Sequence, residues 1–332
     1  MARVVCAHND LLLEVAFRAR EDNPFGSYWL PHLETGGVAL QVCPMYSDID
    51  RMPEGALRHA IEQVVAWQRA GRENSDRVAL VRSRGDLDAV ASGAKIGLVL
   101  SVEGAEMYGY DVGSAEAFWE LGVRMVGLTW NRRNQFADGL GESNDGGLSS
   151  LGRQLVAQLA ELGTIMDLSH ASPRTFEDVL DLVDGTVIVS HAGCRALLET
   201  PRNLTDDQLR AIAERRGVVG MMAIPGAIDP EVKTLDRFVD HIAHACEAIG
   251  VEHVGIGGDF VQQLLASGAV RVPADVVLAE GAETAFVIDG LAGPEDFQNL
   301  AAALERRGFA DDERDAVLAG NWLRVLGETL PA

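Results

Sequence analysis

The stretch Val4-Val5-Cys6-Ala7-His8-Asn9-Asp10 decides the fold, because an apolar run of four ends in a histidine and a carboxylate two residues apart. Such a run reads as a short buried strand, and residues two apart on a strand point to the same side. His8 and Asp10 therefore aim an imidazole and a carboxylate at one point, as binding of a divalent metal requires. Alone, His-x-Asp at a strand end is an ordinary turn feature. Its weight comes from what the chain repeats after it.

Seven more apolar or β-branched runs follow the first at 4–7, namely 37–43, 96–102, 125–129, 165–168, 187–190, 218–222 and 253–257. Between them lie amphipathic stretches at 54–69, 115–121, 151–162, 173–182, 206–215 and 235–248, several opened by Ser, Thr, Asp or Pro at capping positions. Strand then helix, eight times over, predicts an α/β fold, a (β/α)8 TIM barrel. No internal repeat or linker divides the chain, so the reading is one barrel domain over residues 1–332. Its expected insertions follow the second and eighth strands, the latter at 260–284, where loops lie over the active site.

The 332 residues are 47% hydrophobic and carry a formal net charge of −22. That charge argues against nucleic acid or an anionic membrane as a partner, since phosphate binding needs clustered Lys and Arg. No segment approaches 18 consecutive apolar residues, and the N-terminus has no secretion-signal pattern, so the expected location is cytoplasmic. Cys6, Cys43, Cys194 and Cys246 are widely spaced and read as reduced thiols.

Active sites of this architecture lie at the carboxyl ends of the strands. Those ends read His8-Asn9-Asp10, Ser101-Val102-Glu103-Gly104, Asp167-Leu168-Ser169-His170, Val189-Ser190-His191 and Gly257-Gly258-Asp259. Six candidate ligands, His8, Asp10, Glu103, His170, His191 and Asp259, exceed what one tetrahedral zinc needs and suit two ions roughly 3.5 Å apart. Glu103 is the natural bridge, one oxygen for each ion. His170 and His191 would complete one site, His8 and Asp10 the other.

These residues carry a resemblance to the membrane (renal-type) dipeptidase family of the amidohydrolase superfamily, reinforced by Leu121-Gly122-Val123-Arg124, Arg202-Asn203-Leu204, Gly257-Gly258-Asp259-Phe260 and Gly320-Asn321-Trp322-Leu323-Arg324. The resemblance implies two zinc ions held by His8, Asp10, Glu103, His170 and His191, with Glu103 bridging. It implies that Arg202 grips the substrate carboxylate, that Asp259 handles the amine and the proton transfers, and it leaves a homodimer open. Two departures stand out. Trp130 occupies the position of a family histidine thought to polarise the scissile carbonyl, which leaves the oxyanion to the metals and a neighbour such as Asn131, with Trp130 as a pocket wall. Val261 replaces a usual acidic residue.

The expectation is a zinc-dependent dipeptidase acting on small dipeptides, L,D forms included, through a hydroxide shared by the two ions. The rivals are hydrolysis of another small amide, ester or lactone, and a metal-binding homologue with weakened catalysis. His241 and His244, three apart on a helix, read as a solvated face rather than a second metal site. The small residues of Gly255-Ile256-Gly257-Gly258 read as room for the strand end to approach the metals.

Overall fold

The computed structural model describes residues 2–91, 93–272, 276–277 and 286–332. Nine parallel strands form among them: β1 (Val4–Cys6), β2 (Val38–Tyr46), β3 (Val78–Val81), β4 (Ile96–Glu103), β5 (Val123–Gly127), β6 (Ile165–Asp167), β7 (Val187–Ala192), β8 (Val219–Met221) and β9 (Val254–Ile256). Eight close the barrel in the order β1-β2-β4-β5-β6-β7-β8-β9, and β9 returns to β1 through Cys6 opposite Ile256. The ninth, β3, stands outside the ring. It pairs with residues 96–99 of β4, and β5 pairs with residues 100–103 of the same strand. The sequence reading passed over β3 because it is four residues long, with Ala79 and Leu80 only half-buried, inside the stretch expected as an insertion.

Alternation along the strands builds two cores. Leu98, Leu100 and Val102 of β4 pack outward against the helices, whereas Val99 joins Val5, Leu40, Val42, Met125, Ile165, Ile188 and Val218 in a second cluster. That cluster is completed by Trp322, Val325 and Leu326 of the helix Asn321–Thr329. Asn321 Nδ2 donates to the carbonyls of Val251 and Val254, both at 2.7 Å, and Trp322 Nε1 donates to Ile256 O at 3.1 Å. The helix thus closes the end of the barrel where β9 begins, opposite the strand ends that carry the candidate ligands.

The glycines in and just after β9 also have packing partners of their own. A Cβ at Gly255 would overlap Trp322 Nε1, and one at Gly257 would overlap Ser190 O. Both are small because an indole and a neighbouring strand press on them.

The helices expected from periodicity form within a few residues, Pro173–Leu182 at the expected bounds and Ala56–Glu73 four residues longer at its end. Their starts are fixed by side-chain caps: Ser149 accepts from Gly152 N, Ser172 from Thr175 N, and Thr205 makes a reciprocal pair with Gln208. The caps of 173–182 and 206–214 hold the loops carrying His170 and Arg202 against the barrel mouth. Shorter helices such as Leu11–Phe17 and Arg84–Ala91 were not read from sequence. Within the expected insertion at 260–284, the helix Gln262–Ser267 is described, while 273–275 and 278–284 lie outside the described residues. No helix among the described residues is long and apolar enough to cross a membrane.

Trp322 is 2% exposed and fills the barrel floor. Trp322→Ala should lower the unfolding free energy by about 3–5 kcal/mol, the range for truncating a buried Trp or Phe, measured by urea denaturation. A loss below about 1 kcal/mol would show that the barrel does not depend on this plug.

Candidate active site

Six strand ends and loops converge at the open mouth. Glu103 is the last residue of β4, His191 lies in β7, and His8 follows β1 directly, its carbonyl accepting from Asp259 N at 3.0 Å. His170 and Asp259 follow β6 and β9 with φ of 62° and 56°, the left-handed region that side-chain-bearing residues seldom adopt. Strain of this kind, held in place by the surrounding structure, concentrates at functional sites. His8, Glu103, His170, His191, Arg202 and Asp259 are all buried, and Asp10 is half-buried.

The carboxylate of Glu103 divides the cluster. Its Oε1 lies 3.1 Å from His170 Nε2 and 3.6 Å from His191 Nε2, while Oε2 lies 3.6 Å from His8 Nε2. On the His8 side, Asp10 Oδ2 is 3.8 Å and Asp259 Oδ1 3.9 Å from the same nitrogen. Every expected ligand is therefore present at the mouth, with one Glu103 oxygen facing each group.

The hydrogen bonds behind the imidazoles decide where their protons sit. Asn131 Oδ1 lies 2.6 Å from His170 Nδ1, so the proton is on Nδ1 and the lone pair on Nε2. Behind His191, Ser169 Oγ donates to Asp167 Oδ1 at 2.8 Å, so its contact with Ser190 Oγ at 3.0 Å is donated by Ser190. Ser190 Oγ then accepts from His191 Nδ1 at 2.9 Å, which again leaves the lone pair on Nε2. The two Nε2 atoms are 3.0 Å apart and both lie within 3.6 Å of Glu103 Oε1.

A divalent cation at that point would meet both Nε2 lone pairs and a carboxylate oxygen. His8 Nε2 and Asp10 Oδ1 are likewise buried with no hydrogen-bond partner among the described residues. A donor set of nitrogen and oxygen atoms with outer hydrogen bonds fixing the imidazoles is what a divalent metal site requires. His8, Glu103 and His191, and separately His8, Asp10 and Asp259, each bring three donor atoms within 4.8 Å of one another.

The ionisation of the protein alone reports the same crowding. Burial drives Glu103 well above the usual carboxylate range, and burial with the charge of Asp10 pushes Asp259 up to about 6 despite His8. Burial opposes charge on His8, but Glu103, Asp10 and Asp259 outweigh it and push the imidazole up to about 10. His170 and His191 are held well below the normal range by burial and by the neighbouring charges of Arg202 and His8.

The mouth opens into a cavity. Asp10, Glu103, His170, Arg202 and Asp259 line it together with apolar residues that include Leu13, Met222, Ile224, Val261 and Leu264. Arg202 Nη2 donates to His191 O at 3.0 Å and lies 3.1 Å from His170 Nε2. Trp130 also lines the cavity, its ring 5.8 Å from His170 and 5.5 Å from Tyr46. Asn131 lines it as well, although its carbonyl oxygen is turned to His170.

Sequence reasoning missed Tyr46, which stands opposite Glu103 in the β2–β4 ladder, and the Asp167-Ser169-Ser190 relay. The relay was visible as serines and an aspartate beside histidines at two adjacent strand ends. His241 is corrected: it is fully buried rather than solvated, its Nδ1 accepting from Cys194 N at 3.0 Å and its Nε2 3.0 Å from Ile228 O. The ring thus bridges backbone groups, because its helix packs that face on the barrel.

The sequence profile of the membrane dipeptidase family (peptidase family M19) matches residues 2–269. The dipeptidase verJ of Clonostachys rogersoniana is 31% identical over 273 residues, covering 82% of this chain and 65% of that protein. An uncharacterized dipeptidase of Schizosaccharomyces pombe is 33% identical over 290 residues, covering 78% and 69%. The chain spans about two thirds of the length of these curated relatives. In fold, it is similar to a metallo peptidase from Rhodobacter sphaeroides liganded with a phosphinate mimic of the dipeptide L-Ala-D-Ala, with a TM-score of 0.84, 23% identity and 99% of each chain covered. With most of its length matched by the profile and two relatives above 30% identity, the chain belongs to the membrane dipeptidase family.

Proposed function

We propose that this protein is a binuclear zinc dipeptidase, cleaving the peptide bond of small dipeptides with a free carboxylate, L,D forms included. The observation that carries the reading is the buried Glu103 carboxylate with one oxygen toward His170 and His191 and the other toward His8, in a chain of this family. His170 and His191 would hold one ion, His8 and Asp10 the other, and Glu103 both. Two divalent cations supply water that is nucleophilic near neutral pH and polarise the scissile carbonyl.

The chain's own residues do the rest. Asn131 and the Asp167-Ser169-Ser190 relay keep the Nε2 lone pairs of His170 and His191 turned inward. Arg202, buried beside both histidines, offers its guanidinium to the substrate carboxylate. Asp259 accepts a proton at its carboxylate and returns it to the leaving amine. Trp130 forms a wall that keeps the dipeptide against these groups and excludes water.

Elemental analysis should find about two divalent ions per chain. Glu103→Gln should lose at least one, since an amide is a poor bridge; full occupancy in that variant would count against the bridging role. Asp259→Asn should retain at least one ion and the fold while kcat falls on the order of 10²-fold or more; near-normal turnover would route the proton elsewhere. Arg202→Ala should lower kcat/KM for dipeptides at least about tenfold, as expected for a charge-assisted pair worth roughly 1.5–3 kcal/mol. The loss should be much smaller for a dipeptide amide, and equal losses on both substrates would remove the carboxylate clamp.

A further inference from the structure

The cavity beside the candidate ligands is lined largely by apolar side chains. Met222 and Ile224 follow β8, Val261 and Leu264 follow β9, and Leu13 lies in the helix 11–17; all five line the cavity. Met222, Ile224 and Ala227 make an apolar cluster separate from both cores, with the half-buried Val261 packed on it. These side chains border the space where a substrate's own side chains must go. One methylene in such a pocket changes reactivity by roughly 10- to 200-fold.

Among the described lining residues, Arg202 is buried against the histidines and Arg271 is exposed. Resting on the dipeptidase reading above, we propose that this wall makes the enzyme selective for dipeptides with bulky apolar side chains. Small dipeptides leave it uncovered, and acidic side chains meet carbon there.

The test is kcat/KM of the metal-replete protein on Gly-Gly, Ala-Ala, Ala-Leu, Leu-Leu, Ala-Phe and Ala-Asp. Leu-Leu should exceed Gly-Gly at least about tenfold, and Ala-Leu should exceed Ala-Asp. Equal rates across the series, or Ala-Asp faster than Ala-Leu, would overturn the apolar selectivity and leave the dipeptidase reading standing; no turnover of any member would overturn both. Val261→Asp should shrink the Leu-Leu to Gly-Gly ratio at least about fivefold. Val261→Thr, which nearly conserves volume, should shrink it less in the same direction. A ratio unmoved in both folded variants would remove Val261 from the selecting wall.

Discussion

The confrontation of three carboxylates and three imidazoles at one buried point is the constraint around which the rest of the molecule is arranged. Charges brought together out of water cost free energy unless each finds a partner. Every neighbouring device serves to hold them there: the left-handed backbone at His170 and Asp259, the His8 carbonyl tied to Asp259 N, and the serines and Asn131 behind the imidazoles. The barrel supplies the rigidity, because its hydrogen-bonded ring fixes the spacing of the strand ends to within a residue.

The mouth and the floor divide the labour between them. At the floor, Trp322 and its helix bury apolar surface and press on Gly255, so stability is concentrated away from the chemistry. At the mouth, polar groups face a cavity and contribute little to packing. This separation lets loops after β8 and β9 change the shape of the cavity while the core beneath them stays the same.

Much of this was legible in the chain. The strand ends were readable because an apolar run followed by His, Glu or Asp recurs at barrel spacing, and all five expected ligands lie at the mouth. The helices with strong periodicity, such as 173–182 and 206–214, also fell where expected. What was not legible depended on contacts between distant segments. Nothing local to Val78–Val81 says that it borrows half an edge of β4, and nothing local to His241 says that its face is covered by the barrel. The cavity wall gathers Leu13, Ile224 and Leu264 from three parts of the chain, which no linear pattern connects.

The closure of β1 onto β9 also bears on how the chain is made. Cys6 pairs opposite Ile256, so the first strand waits through some 250 residues of synthesis before its second edge is covered. Until then β1 and β2 present an open parallel edge, the kind of surface that recruits other chains. The helix at 321–329 hydrogen-bonds to β9 and the turn before it, so it too takes its place late. Of the steps in reaching the native state, late long-range closure is therefore the one most exposed to competition from association.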